Sequence, residues 1–532
     1  MNEQKGLENP DGFSRSVFQA VVHDSAAHVD NPAAETLTVI PSKSPYRNDL
    51  LPPESIRPLK ILFITPKGKK EEDTSQKALF SMAIGVLVSI TPPQHEIELV
   101  DELFGDKINF DGDYDLVGIT ARTMNVTRAY DIADEFRRRG KKVVMGGVHV
   151  SFNYDEAKAH ADAVVCGEAE NLWAFVLQDL ALGQLKPRYD AKDFPPVKEV
   201  PVIDYERIFK ASKRDKVDAR KSIPIYMTRG CPYTCTFCVT PNFTGRLYRI
   251  QSRDTIKAQV EAAKRVWFKE SKYGKEPWLM FTDENLGVNK TKMYEILDVL
   301  AECNVKFSSF ISINFLEEEE TIKRLVKAGC VMALVGFESV NQKTVDHYDK
   351  WKMNNVGKYA EIIKRCRKHG LNIQGNFLTN PAIDTYEDMK AVEKFVDDNL
   401  LMMPIYSILT PYPGTVMYKD YKQKGLIVDE DWDKYTAHNL VIRCDNYDPM
   451  EYQVTYMKHF LGFYKWRTII KRVLLNPNKV INLVTSLIFR RNLRDQLNSV
   501  LTGKKAPLQH LQKQMQKNTE LSQKESLAKV EA

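Results

Sequence analysis

Two stretches of the chain alternate short apolar runs with amphipathic helical segments, and a Pro-rich interval separates them. The first begins with LKILFIT at 59–65 and continues through the helical QKALFSMAIGVLVSI, then HEIELVD, YDLVGIT and a helix containing DIADEFRRRG. KKVVMGG, DAVVCGEAE and the helical NLWAFVLQDLA complete it. Strands alternating with helices of this length predict a doubly wound parallel sheet over residues 58–180, with ligands expected beyond the C-terminal ends of the strands. The second stretch runs from PIYMTRG to PIYSILTPYPGT and holds six strand–helix pairs, including PWLMFTDENLG, KFSSFISINF, VMALVGFES and LNIQGNFLTNP. Six such pairs predict a partial barrel over 223–428, whose functional residues belong at strand C-terminal ends. The cysteines after the first strand, Asp283, Glu284, Glu338 and Gly414 all fall there.

The flanks lack this rhythm. Residues 1–57 are polar and read as an arm, 181–222 as a Pro-rich linker, 429–500 as a helical region and 501–532 as a polar tail expected to be disordered. A chain of 532 residues with 43% hydrophobic content can bury more than one core. A net charge of +6 over that length does not argue for nucleic acid, and none is expected as a partner. No N-terminal signal sequence is evident, and the longest apolar helical candidate, 480–489, is too short to span a bilayer. The protein therefore reads as soluble and cytoplasmic. One segment departs from the even charge distribution: between Lys465 and Arg494 there are eight basic residues and no acidic one.

Chemistry is concentrated in MTRGCPYTCTFCVTPNFTG at 227–245, where Cys231, Cys235 and Cys238 fall within eight residues of a chain with eight cysteines in all. Chance would give a C-x3-C-x2-C pattern in roughly two such chains in a thousand. In a reducing compartment clustered thiols indicate a metal or a catalytic role. A structural zinc wants four ligands, and the next cysteine, Cys303, lies far downstream in a predicted helix. A [4Fe-4S] cluster held by three thiolates leaves one iron open to a ligand from outside the protein. Zinc and buried structural thiols are the alternatives. The other five cysteines, Cys166, Cys303, Cys330, Cys366 and Cys444, have no partners at cluster spacing and read as small apolar core residues.

The RGC-PYT-C-TF-C run at the end of the first strand of a six-fold β/α region resembles the radical S-adenosylmethionine (radical SAM) enzymes. The resemblance implies a TIM-type (β/α)6 barrel, a [4Fe-4S] cluster on Cys231, Cys235 and Cys238, and S-adenosylmethionine on the fourth iron. One electron, supplied by an external donor such as a flavodoxin or ferredoxin, would then cleave S-adenosylmethionine to methionine and a 5′-deoxyadenosyl radical. It further implies that Asp283 and Glu284 contact the methionyl amine, that Glu338 meets the ribose and that Phe237 lies near the adenine. Polar residues at strand ends also cap helices or face water, so each of these assignments has an ordinary structural alternative.

The upstream sheet resembles the Rossmann-like cobalamin-binding domain fused to many radical SAM enzymes. The likeness rests on YDLVGIT, on VVMGGVHVSF with Gly146 and Gly147, and on DAVVCGEAE with Gly167 and Glu168. Paired glycines after a strand let the backbone approach a ligand. One feature departs from the cobalamin pattern: the loop after the first strand reads PKGKKEEDTSQ and lacks the cobalt-ligating histidine of a D-x-H-x-x-G loop. His149 is the histidine nearest the expected site, and a lone turn histidine is more often a hydrogen-bonding group. A sheet that keeps the fold but binds no corrin is the alternative.

The combination resembles the cobalamin-dependent radical SAM methyltransferases and implies C-methylation of an unactivated carbon. A radical SAM cyclase or oxidative rearrangement enzyme is the alternative, and a non-catalytic Fe–S protein a further one. The residues do not specify the substrate, which is a small or lipid-like molecule. The basic, apolar segment 465–494 admits either peripheral membrane contact or helices that pack their apolar face on the barrel, and the second is the more ordinary arrangement.

Overall fold

The computed structural model of the chain describes residues 50–68, 81–191, 194, 202–213, 223–270, 278–350, 353–444, 447–477 and 479–502. The expected arm lies outside this set up to residue 49, as do the tail from 503 and most of the PKGKKEEDTSQ loop.

The first sheet is parallel throughout and contains β1 (Lys60–Thr65), β2 (Glu96–Asp101), β3 (Leu116–Thr120), β4 (Lys142–Gly146), β5 (Ala163–Cys166) and β6 (Arg188–Asp190), in the order β2-β1-β3-β4-β5-β6. Helices cover both faces, so β1 and β5 are almost continuously apolar and buried. The order reverses between β1 and β3, and this switch point opens a crevice at the strand ends. Residues 181–222, expected as a linker, do more than connect. They supply β6, which pairs with β5, and the helix Tyr205–Ala211. From that helix Arg207 donates to the carbonyl oxygens of Val88, Thr91 and Pro92 at and just beyond the end of the helix Met82–Ile90, where carbonyls lack intrahelical partners. Flanking prolines hide both elements in the sequence.

The second sheet is built from β7 (Ile223–Ile225), β10 (Trp278–Phe281), β11 (Lys306–Phe310), β12 (Cys330–Glu338), β13 (Asn372–Thr379) and β14 (Met402–Ile408), which lie side by side in chain order and parallel. Between β7 and β10, the short strands β8 (Thr228–Arg229) and β9 (Arg249–Ile250) pair antiparallel and enclose the cysteine loop. PIYMTRG, expected as one strand, is therefore two, broken at Tyr226 and Met227. The five cysteines outside the loop are buried and reduced.

Trp432, beyond the last barrel strand, packs against the hydrophobic clusters of both sheets. Its indole donates to Glu156 at 3.2 Å and meets His149 edge-on. The C-terminal helices Trp466–Leu475 and Lys479–Leu501 meet the more ordinary expectation for 465–494 only in part. Between 466 and 488 the buried positions are Ile469 and the polar Thr468, Arg472, Asn476, Asn482 and Ser486, while Trp466, Ile470, Leu474, Val480, Val484 and Ile488 are exposed; Leu493, Leu497 and Val500 are buried further along.

Candidate active site

The C-terminal edge of the first sheet and the opening of the barrel face each other across a cavity of about 270 Å³. Gly118, Thr120, Gly146, Gly147 and Gly167 form its floor at the ends of β3, β4 and β5, and Ile84 and Leu87 of the helix Met82–Ile90 form one wall. The barrel contributes Tyr226, Thr228, Arg229, Thr282 and Glu284, with Phe243 and Thr244 from beyond the third cysteine. Small residues keep the sheet edge low: a Cβ on Gly147, whose φ is +106°, would lie 2.6 Å from the Ala121 carbonyl oxygen. This glycine-lined, mainly apolar ledge suits a broad planar group such as a corrin.

The cysteine loop adjoins the cavity, which ends at residues flanking it on either side, Arg229 and Phe243. The loop is pinned by Cys231 N–H donating to Gly245, Thr236 N–H to Tyr348 and Cys238 N–H to Cys235. Burial pushes the Cys231 thiol up to about 11 and the Cys235 thiol up to about 12. Such thiols are protonated until a metal takes the proton's place, so coordination and deprotonation are coupled. Among the described residues no three His, Cys, Asp or Glu side chains converge on a single-ion position.

Glu338 ends β12 with φ at +62°, a left-handed conformation that costs a non-glycine residue energy. Its carboxylate is buried in an ion pair with Lys350, whose ammonium also donates to the Gly336 carbonyl at 2.8 Å. Lys350 is near enough to Cys235 for its charge to favour the thiolate. Nothing in HYDKWK marks this lysine in the sequence, since its partners lie a strand and a loop away.

Asp283 and Glu284 part company. Thr282 and Glu284 line the cavity, and Asp283 between them points the other way. Its Oδ1 accepts from Met227 N–H, Thr228 N–H and the Thr228 hydroxyl, at 3.0, 2.6 and 2.6 Å, and so fixes the break between β7 and β8. Burial outweighs these bonds and raises its carboxyl to about 7. Burial also raises Glu284. Phe237 sits outside the cavity, edge-on to Tyr348 in a cluster with Leu409, Met417 and Tyr435.

Glu168 lines the cavity but is bound by protein partners. Arg249 holds both its oxygens, at 2.8 and 2.6 Å, and Arg229 approaches to 3.4 Å while pairing with Glu170 at 2.5 Å. Both arginines come from the β8–β9 pair, so this buried group ties the first sheet to the frame of the cysteine loop. His149 is likewise committed: Nδ1 lies 3.2 Å from the Thr123 hydroxyl and Nε2 3.3 Å from the Asn153 amide. It does not line the cavity.

Residues 225–397 match the Radical SAM superfamily, and residues 85–176 match the B12 binding domain. The chain is 58% identical to the bacteriochlorophyllide d C-8(2)-methyltransferase of Chlorobaculum tepidum, over 81% of this chain and 95% of that protein. Against the bacteriochlorophyllide d C-12(1)-methyltransferase of the same bacterium it is 29% identical, over 81% of this chain and 93% of that protein. The solved structure of the cobalamin-dependent S-adenosylmethionine radical enzyme OxsB, with aqua-cobalamin and S-adenosylmethionine bound, shares the fold with a TM-score of 0.59 at 15% identity, over 90% of this chain and 82% of OxsB.

Proposed function

This chain belongs to the radical SAM enzymes that carry a B12 binding domain, and on that premise we propose that it methylates a bacteriochlorophyllide d-type pigment precursor at C-8(2). It is a methyltransferase that uses a [4Fe-4S] cluster, S-adenosylmethionine and cobalamin. The observation that carries the substrate reading is the 58% identity to the C-8(2) enzyme, twice the 29% identity to the C-12(1) enzyme.

When bound, the cluster with S-adenosylmethionine supplies radical-based hydrogen abstraction, and cobalamin supplies methyl carriage. The chain's own residues hold, orient and shield. Cys231, Cys235 and Cys238 hold the cluster, with the Lys350 charge favouring the Cys235 thiolate. Glu284 and Thr282 face the space where S-adenosylmethionine would lie, and Glu338, held by Lys350, is assigned to its polar part. Asp283 acts as a positioning residue through the β7–β8 backbone. Gly146, Gly147 and Gly167 form the corrin ledge, and Glu168 positions it against the barrel. Phe237 supports the cysteine loop from behind. The apolar cavity walls keep water from reactive carbon. An external one-electron donor of the flavodoxin or ferredoxin type, and contact of 465–494 with a membrane in which an apolar substrate partitions, belong to the same reading.

The test is anaerobic incubation of reconstituted protein with cobalamin, S-adenosylmethionine, a reductant and bacteriochlorophyllide d. A pigment heavier by one CH2, with the new carbon at C-8(2) by NMR, is expected. Cleavage of S-adenosylmethionine with no methylated pigment overturns the substrate assignment, and methylation at another carbon overturns the position.

A further inference from the structure

We propose that the helices Trp466–Leu475 and Lys479–Leu501 form a docking surface that seats the enzyme on an anionic lipid bilayer, lying in the interface without crossing it. Their polarity is inverted relative to a helix pair in water. Arg472 and Asn482 are 0% exposed, while Leu474 and Val480 are 64% and 74% exposed. The outward apolar residues follow helical spacing, Trp466, Ile470 and Leu474 on one helix and Val480, Val484 and Ile488 on the other, so they form continuous stripes. Beyond Ile488 the longer helix reverts to ordinary patterning, with Leu493 and Leu497 inside and Arg491 and Arg494 outside. The inversion is therefore confined to the segment 466–488. No helix among the described residues is long and apolar enough to cross a membrane.

Charge selects the occupant. Lys465 and Arg467 are engaged by Glu393 and Asp397, and these pairs fasten the first helix to the helix Tyr386–Asn399. Arg490 donates to the Tyr464 carbonyl at 2.8 Å and lies over the Trp466 ring. Lys471, Lys479, Arg491 and Arg494 are exposed on the same two helices; Asp495 lies 3.9 Å from Arg491 and from Arg494, and Asp397, already paired with Arg467, also feels the charge of Lys471. An apolar face rimmed by cations complements anionic lipid headgroups above acyl chains. A second copy of the chain would set cation against cation. The chain's own residues 503–532, with six lysines and three glutamates, would bring more of the same sign.

The experiment uses the full-length holoenzyme, sedimented with phosphatidylcholine vesicles with or without phosphatidylglycerol. It needs no turnover, so its outcome is independent of whether the substrate assignment holds. Wild type is expected to pellet with the anionic vesicles and to be released as salt rises, since the cation contribution is screened. Ile470→Glu combined with Val484→Glu and Ile488→Glu, all at exposed positions, lowers binding to anionic vesicles at least about tenfold. Lys471→Gln combined with Arg491→Gln and Arg494→Gln removes the preference for phosphatidylglycerol. Wild type left in the supernatant with anionic vesicles overturns the proposal and fits a face covered by the chain's own residues. Unchanged binding by the triple glutamate variant overturns it as well. Lipid-free self-association that the same variant abolishes, without vesicle binding by wild type, assigns the face to a second copy.

Discussion

Arg249 grips both oxygens of Glu168, at 2.8 and 2.6 Å, from opposite sides of the domain junction. With both side chains almost fully buried, removing Arg249 leaves the Glu168 carboxylate under-compensated, because its remaining cation, Arg229, stands off at 3.4 Å. Arg249→Met is expected to destabilise the junction by about 3–5 kcal/mol, read as a lowered melting midpoint and faster proteolysis between the sheets. The double variant Arg249→Met with Glu168→Leu should lose less than Arg249→Met alone, because no stranded carboxylate is left.

Cys235→Ser should leave the fold near wild-type stability and remove the iron. Iron content after anaerobic reconstitution, together with the visible absorption of the cluster, measures this directly. A full complement of iron in the variant would place the cluster elsewhere.

Lys350 and Glu338 form a second buried pair, here at a strand end in a left-handed conformation. Lys350→Met should cost about 3 kcal/mol by leaving the carboxylate unpaired. Glu338→Gln is nearly isosteric, and weaker S-adenosylmethionine retention, by roughly tenfold for one lost charge-assisted contact, is expected in equilibrium dialysis.

Asp283 gives the apoprotein a pH signature. Its carboxyl is raised to about 7 in the folded chain, well above its unfolded value, so the folded state binds the extra proton. The stability it contributes is present at acid pH and is lost as pH rises through about 7. Asp283→Asn keeps an acceptor for Met227 and Thr228 and does not titrate. Relative to wild type, the variant should gain stability between about pH 4 and pH 7 and hold a constant difference above that, in melting curves taken across the range.

Gly147→Ala forces a left-handed side chain into the Ala121 carbonyl. A loss of about 1–3 kcal/mol is expected, along with poorer cobalamin retention on gel filtration, because the ledge must shift to relieve the contact.

The alternation of apolar and amphipathic segments made both sheets legible, because βαβ periodicity is a local property of the chain. The cysteine spacing was legible for the same reason: three thiols on one loop need no tertiary information. Residues whose roles depend on distant partners were not. Arg229 and Arg249 stand out only once Glu168, 61 and 81 residues upstream, is placed beside them. Lys350 is silent until β12 delivers Glu338. Asp283 and Glu284, adjacent in sequence and assigned alike, separate because neighbouring residues of an extended chain point to opposite faces. The inverted polarity of 465–494 was invisible because an amphipathic period reports two faces without saying which one turns inward.

The Glu168 clamp also bears on how the enzyme keeps its reagents in register. A wall fastened to buried Arg249, with Arg229 beside it, resists opening like a hinge between the glycine ledge and the cysteine loop. On the proposed assignment of the two cofactors, the separation of methyl source and radical source is set when the chain folds, as a fixed gauge, and each turnover inherits it.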